Sequence, residues 1–235
     1  LAFTVEVRVH AELVQSPEEC LKKEDSCVFN ASKQKENVKK DDAEFGMQPE
    51  TTIVRQKENA FTFAKGWFFV KANQDLTIET PYGKTTVKGG TQAFFQKEDN
   101  RVVVQTVFGK VLVKPLGEKK SIYVLEGYEN YLAPVDQSMK AQMGAPKPIL
   151  VEPLLKVWAS LSNEPKEDFL NDVEKFKSIH QKAVQDLSIL NQQIVQREIA
   201  SVQAAKKAEK DRIERQKKAR QERQEIYYQR LLQEE

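Results

Sequence analysis

Long apolar runs, histidine and cysteine are all scarce in this chain of 235 residues, and each scarcity excludes something. No apolar run approaches the roughly 18 residues needed to cross a bilayer, so no transmembrane segment is expected within the chain. His10 and His180 are the only histidines, and neither has ligand-like spacing to complete a zinc site with the two cysteines. No metal and no cofactor are expected. Neither histidine has neighbours that suggest a nucleophile and its base. Carboxylates are plentiful but lie mostly in charged, surface-like stretches, not beside apolar residues that would raise their pKa. Gly89-Gly90-Thr91 lacks the lysine and the strand-to-helix context of a phosphate-binding loop. The chain therefore reads as non-enzymatic, with no catalytic residue. An excess of one charge is also missing: 37 basic against 35 acidic residues leave a net charge of +2, too little to create a strong field for nucleic acid or an anionic membrane.

The charge that is present, 31% of residues, concentrates in residues 18–44 and 206–225. The middle can carry an ordinary core while both flanks stay solvated. Cys20 and Cys27 stand in a charged stretch. They read as a disulfide stapling a small loop, typical of oxidising compartments, the alternative being two independent thiols. The chain opens Leu-Ala-Phe-Thr-Val without an initiator methionine, which suggests a signal peptide or upstream segment that was removed or is not included.

Four domains are expected. Residues 1–50 hold an N-terminal strand (2–9, alternating Phe3, Val5, Val7 and Val9) and a charged, lysine-rich excursion with the possible disulfide. Residues 51–135 hold a β domain of short strands punctuated by glycines, of the sandwich, roll or barrel kind. Trp67-Phe-Phe-Val70 is apolar on both faces and should be a central strand. Gly83, Gly90, Gly109 and Gly127 mark turns; at Gly83, Gly109 and Gly127 a positive φ is available that strains other residues. Residues 136–164 form a linker, with Pro146, Pro148 and Pro153 excluding a continuous helix, and then a short apolar helix bearing Leu154, Leu155, Val157, Trp158 and Leu161. That helix should pack on the β domain or on a partner.

Residues 165–235 read as one long, very polar helix. Asn163-Glu164-Pro165 followed by Glu167 and Asp168 is a helix start, and no glycine or proline follows. Its ~70 residues would span on the order of 100 Å. Val173, Phe176, His180, Ala183, Leu187, Leu190 and Ile194 recur at alternating steps of three and four, a coiled-coil-like seam of about three heptads. His180 reads as a tolerated polar seam residue. Beyond Ile194 the seam fails, because Arg197 and Ser201 take its next positions, and Ile199, Val202 and Ala205 suggest a shifted, thinner stripe. Residues 206–225 have almost no apolar face, and Ile226, Tyr227, Tyr228, Leu231 and Leu232 form an apolar tip. The seam residues Val173, Phe176, Ala183, Leu187, Leu190 and Ile194, with Ile226, Tyr227, Leu231 and Leu232, are the expected partner-binding residues. Basic residues outnumber acidic ones in 206–225, but no aromatics interleave with them, so a solvated or partner-binding helix fits better than nucleic acid or anionic lipid.

One segment carries a resemblance. Leu76-Thr-Ile-Glu-Thr-Pro-Tyr-Gly-Lys-Thr-Thr-Val-Lys-Gly-Gly-Thr-Gln-Ala-Phe-Phe95 resembles the FecR family pattern Ile-x-Thr-Pro-x-Gly, a strand, then Gly-Thr-x-Phe. The matching residues are Ile78, Thr80, Pro81, Gly83, Val87, Gly90, Thr91 and, one residue offset, Phe94. The continuation over 102–113 and Leu125-Glu126-Gly127 also fits, and the likeness covers about residues 61–134. It implies a non-enzymatic β domain outside the cytoplasm, in the bacterial periplasm. The namesake members relay signals from outer-membrane transporters to sigma factors. Within the given residues this chain departs from them in showing no transmembrane segment or cytoplasmic anti-sigma region and in carrying a long charged helix.

The expectation is therefore a periplasmic structural protein: the β domain anchors in a multi-subunit envelope assembly, such as a motor or secretion-type ring, and the helix bridges to homo- or hetero-oligomeric protein partners. The alternative is a FecR-like signalling or ligand-sensing module whose aromatics Trp67 to Phe69, Phe94 and Phe95 line a recognition groove.

Overall fold

Fifteen or more short segments with two-residue alternation can bury their apolar sides only against another sheet or a helix. Both solutions occur. The computed structural model describes residues 12–13, 19–20, 26–31, 34–40, 43–57, 59–135, 140–162 and 164–231. The strand expected over residues 2–9 lies outside them.

The strands are β1 (Glu12–Leu13), β2 (Cys27–Ala31), β3 (Glu36–Lys40), β4 (Ala43–Met47), β5 (Thr51–Lys57), β6 (Ala60–Lys65), β7 (Trp67–Ala72) and β8 (Leu76–Thr80). They continue as β9 (Gly83–Val87), β10 (Thr91–Glu98), β11 (Arg101–Phe108), β12 (Lys110–Pro115), β13 (Ile122–Leu125), β14 (Tyr128–Pro134), β15 (Ala141–Met143) and β16 (Lys147–Pro148). Two helices follow, α1 (Val151–Leu161) and α2 (Lys166–Leu231). One sheet runs β1-β2-β5-β6-β8-β9-β12-β13; the other runs β15-β14-β11-β10-β7-β4-β3, with β16 beside β14. The protein is thus a mostly β module followed by a long C-terminal helix.

The inner faces of the two sheets share one core, including Phe29, Phe45, Phe61, Phe63, Phe68, Val70, Ile78, Phe95, Val104 and Val111. Phe63 packs edge-on to Phe68, and Phe68 stacks on Phe95. The outer face of the second sheet carries a separate cluster in which Phe69, Phe94, Val107 and Phe108 meet Leu154, Trp158 and Leu161 of α1 and Val173 and Phe176 of α2. This explains the sequence of β7: Phe68 and Phe69 point to opposite sides, and both sides are covered.

Two segments differ from expectation. The charged excursion before residue 50 supplies β2, β3 and β4, with β2 paired to β5 and β4 to β7. In β2 the buried positions are Cys27, Phe29 and Ala31, small or isolated apolar residues between polar ones. The alternation is present but thin. The proline-containing linker likewise contributes β15 and β16, both paired to β14. Pro148 sits at the end of a two-residue strand, where its missing N–H breaks little of the ladder. The linker thus adds two short strands to the second sheet, and the compact unit does not end at residue 135.

The chain divides into two units, Leu1–Gln185 and Asp186–Glu235. The first unit holds both sheets, α1 and the opening turns of α2. The second is helix throughout its described residues. The division falls after Gln185, not at Pro165. Pro165 caps α2 as expected: its carbonyl accepts the N–H of Phe169 at 3.0 Å, and Glu167 and Asp168 occupy the first turn.

Cys20 and Cys27 form a disulfide, with Cα atoms 5.5 Å apart. Among the described residues no helix is long and apolar enough to cross a membrane.

Candidate protein-interaction site

The seam at 173–194 follows one period in sequence but meets two environments. Val173, Phe176 and Ala183 are buried within the first unit. Trp158 of α1 lies edge-on to Phe176 with ring centroids 6.1 Å apart, to Phe169 at 5.4 Å and to Phe108 at 6.0 Å. Polar contacts hold the same face. Gln92 Nε2 donates to Asp172 at 3.1 Å, and the Tyr128 hydroxyl donates to the Ala183 carbonyl at 3.0 Å. Lys71 pairs with Glu164. Burial alone would lower the Lys71 pKa, but its hydrogen bond to Glu164 and the charges of Glu164, Asp172 and Glu44 outweigh that and raise it. These seam residues are corrected from partner-binding to intramolecular core. His180, partly buried, lies 6.1 Å from the Phe176 ring.

Gly127 makes this docking possible, a role its turn position did not reveal. Its φ is +81°, as expected for a turn glycine. A Cβ there would also come within 3.1 Å of Ile179 Cγ2 and 3.2 Å of Ala183 Cβ. The absent side chain lets α2 lie directly on the turn between β13 and β14. Gly90 and Gly109 hold φ of +76° and +78°, and Gly83 +155°.

In the second unit the picture reverses. Leu187 is partly exposed, and Leu190, Ile194, Val195, Ile199 and Val202 are 44–52% exposed. No described residue of that unit is buried. Leu187, Leu190 and Ile194 continue the original seam, while Val195, Ile199 and Val202 form a second stripe at steps of four and three, with Asn191 and Glu198 falling between the two. Beyond it, Arg212 pairs with Glu209 at 2.8 Å, and Ile213 and Ile226 stand exposed. Tyr227 and Leu231 fall in the helix; Leu232 lies outside the described residues.

The aromatics expected to line a groove separate by side. Phe68 and Phe95 belong to the core between the sheets, and Phe69 and Phe94 lie under the helices. Only Trp67 reaches solvent in part. Among the described residues no group of three or more His, Cys, Asp or Glu is placed to hold a metal ion.

No family model matches this chain, and no curated protein matches it. Among solved structures it is similar to two crystal structures of candidate anti-sigma factors from Parabacteroides distasonis. The first is 14% identical with a TM-score of 0.45, the likeness covering 57% of this chain and 64% of that one. The second is 13% identical with a TM-score of 0.44, covering 64% of this chain and 74% of that one. The match thus spans less than two thirds of the first structure's length.

Proposed function

We propose that this chain is a non-enzymatic interaction protein of the bacterial periplasm. Its β module is held in a multi-subunit envelope assembly, such as a motor or secretion-type ring, and residues 187–202 receive an apolar-faced helix of a partner subunit. The exposed aliphatic band carries this reading. Leu190, Ile194, Val195, Ile199 and Val202 follow one another along a helix whose unit buries none of its described residues. Scattered surface leucines need no explanation, but two neighbouring aliphatic stripes on an otherwise polar helix do. The disulfide suits an oxidising compartment. The FecR-like pattern of residues 76–95 supports the same location.

The experiment is site-specific photocrosslinking in cells from position 199, with position 214 in the charged stretch as the control. A discrete adduct from 199, absent from 214 and lost in the double variant Ile194→Lys/Val195→Lys, is expected. A chain that gives no adduct from 199, or one indifferent to the double variant, would sink the proposal. Signalling of the FecR kind is the second reading, and an adduct to a transporter instead of an assembly subunit would favour it.

A further inference from the structure

The two aliphatic stripes of the second unit are mirror images in sequence. Leu187, Leu190 and Ile194 are spaced by three and four; Val195, Ile199 and Val202 are spaced by four and three. Reversing one copy of the segment about the midpoint between 194 and 195 therefore sets Leu187 opposite Val202, Leu190 opposite Ile199 and Ile194 opposite Val195. The polar residues between the stripes obey the same relation, since Asn191 falls opposite Glu198. At 3.6 residues per turn Asn191 and Glu198 stand at the centre of the face, with the aliphatic pairs to either side. Leu187 is partly exposed and the other seven residues are exposed. Ile189, on the far side of the helix, stands outside the pattern.

We infer that, on the docking role proposed above for residues 187–202, the partner helix is the same segment of a second copy of this chain, running antiparallel across a two-fold axis between residues 194 and 195. A two-fold interface must be self-complementary: where residue i meets j, j meets i. A segment whose apolar positions read alike in both directions meets that condition in a single alignment. A partner of unrelated sequence places no such demand on it. Charge selects the direction. Residues 187–205 carry only two charges, Arg197 and Glu198, and reversal brings them opposite Gln192 and Asn191. Each Asn191 amide then donates to the Glu198 carboxylate of the other copy, a charge-assisted hydrogen bond made twice across the axis. In a parallel pair Glu198 would face Glu198. The charged stretch beyond gives the same answer. Residues 206–225 hold nine basic and five acidic side chains. Parallel copies would lay these like excesses side by side, whereas antiparallel copies send them out from opposite ends of the contact. The contact covers ~23 Å of helix at about 1.5 Å per residue, so the pair is a weak one.

Sedimentation equilibrium of the purified full chain is the test, run over ~1–300 μM because a small interface is weak. A monomer–dimer equilibrium is expected. Charges placed at position 191, which is exposed and outside the core, read its direction. Asn191→Glu sets a carboxylate against Glu198 twice and should raise the dimer Kd about tenfold or more, whereas Asn191→Lys sets an ammonium there and should leave it unchanged or lower it. The double variant Asn191→Glu/Glu198→Lys should recover the dimer. In a parallel pair position 191 meets itself, so both single variants would weaken the dimer alike and the double variant would not recover it. A chain that stays monomeric, a larger oligomer, equal weakening by the two single variants, or indifference to Asn191→Glu would overturn the inference. A monomer in solution together with a crosslink from position 199 to a different protein in cells would refute the identity of the partner and leave the docking role standing; no crosslink from 199 would refute the role itself.

Discussion

Truncating Phe176 to alanine separates the two halves of the long helix's seam. Phe176 is completely buried, against Trp158, in the cluster that joins α1 and α2 to the outer face of the second sheet. A phenylalanine buries ~150–250 Å², and at ~25 cal/mol per Å² its full transfer amounts to about 4–6 kcal/mol. Alanine keeps the β-carbon, but the surrounding aromatics relax only in part, so Phe176→Ala should cost about 3–5 kcal/mol. That is a large share of the roughly 5–15 kcal/mol that stabilises a domain. Ile194 occupies the same seam five positions of the pattern later, yet it is 44% exposed. Ile194→Ala should change stability by less than ~0.5 kcal/mol. Urea unfolding followed by tryptophan fluorescence is the assay, because Trp158 lies in the affected cluster. A Phe176→Ala loss below about 1 kcal/mol, or an equal loss for Ile194→Ala, would refute the assignment of the first seam half to the core.

Three further outcomes follow from the same structure. Replacing Cys20 and Cys27 by serine opens a loop of sequence separation 7 and should lower stability by about 2–3 kcal/mol, matched by adding reductant to the native chain; an unchanged urea midpoint would show that the loop is held without the bond. Gly109→Ala should destabilise more than Gly90→Ala. Both have positive φ, but a Cβ at 109 meets Thr91 Oγ1 at 2.6 Å while one at 90 meets nothing within 4 Å, so the ~1 kcal/mol backbone penalty stands alone at 90. Paired thermal melts check the order. The hydrogen bonds that Asp75 accepts from Lys88 Nζ (2.6 Å) and the Gly89 N–H (3.0 Å) hold its pKa below the usual 3.8. A depressed folded-state pKa contributes stability above the unfolded value and loses it as pH falls through the folded one. Asp75→Asn should therefore lower the Tm at pH 7 and leave it unchanged in strong acid; a deficit that persists in acid would rule out the ionic origin.

Much of the architecture was legible because it rests on local physics. Gly90, Gly109 and Gly127 take the left-handed backbone that their turns require, and Pro165 with Glu167 and Asp168 starts a helix that nothing afterwards interrupts. The strand-length alternation after residue 51 and the Cys20–Cys27 pairing reflect the same short range. The strands at 27–47 were harder to read, since β2 buries only Cys27, Phe29 and Ala31 and β3 only Val38 among its described residues. So few apolar side chains look like a solvated loop until a neighbouring strand supplies the missing half of the ladder.

What only the tertiary structure decided is which covering each apolar face receives. Periodicity says that a face is apolar; it does not say whether the same chain buries it. Phe68 and Phe69 are adjacent and equally apolar, yet one faces a sheet and the other two helices. Val173 and Ile194 share one helical stripe, yet one is core and the other exposed. The difference lies in long-range geometry, in a glycine at 127 that admits α2 to the turn and an outer sheet face whose helical cover leaves Trp67 and Tyr131 partly open. Burial depends on what the rest of the chain brings to the same place, and that is a property of the fold and not of any segment read alone.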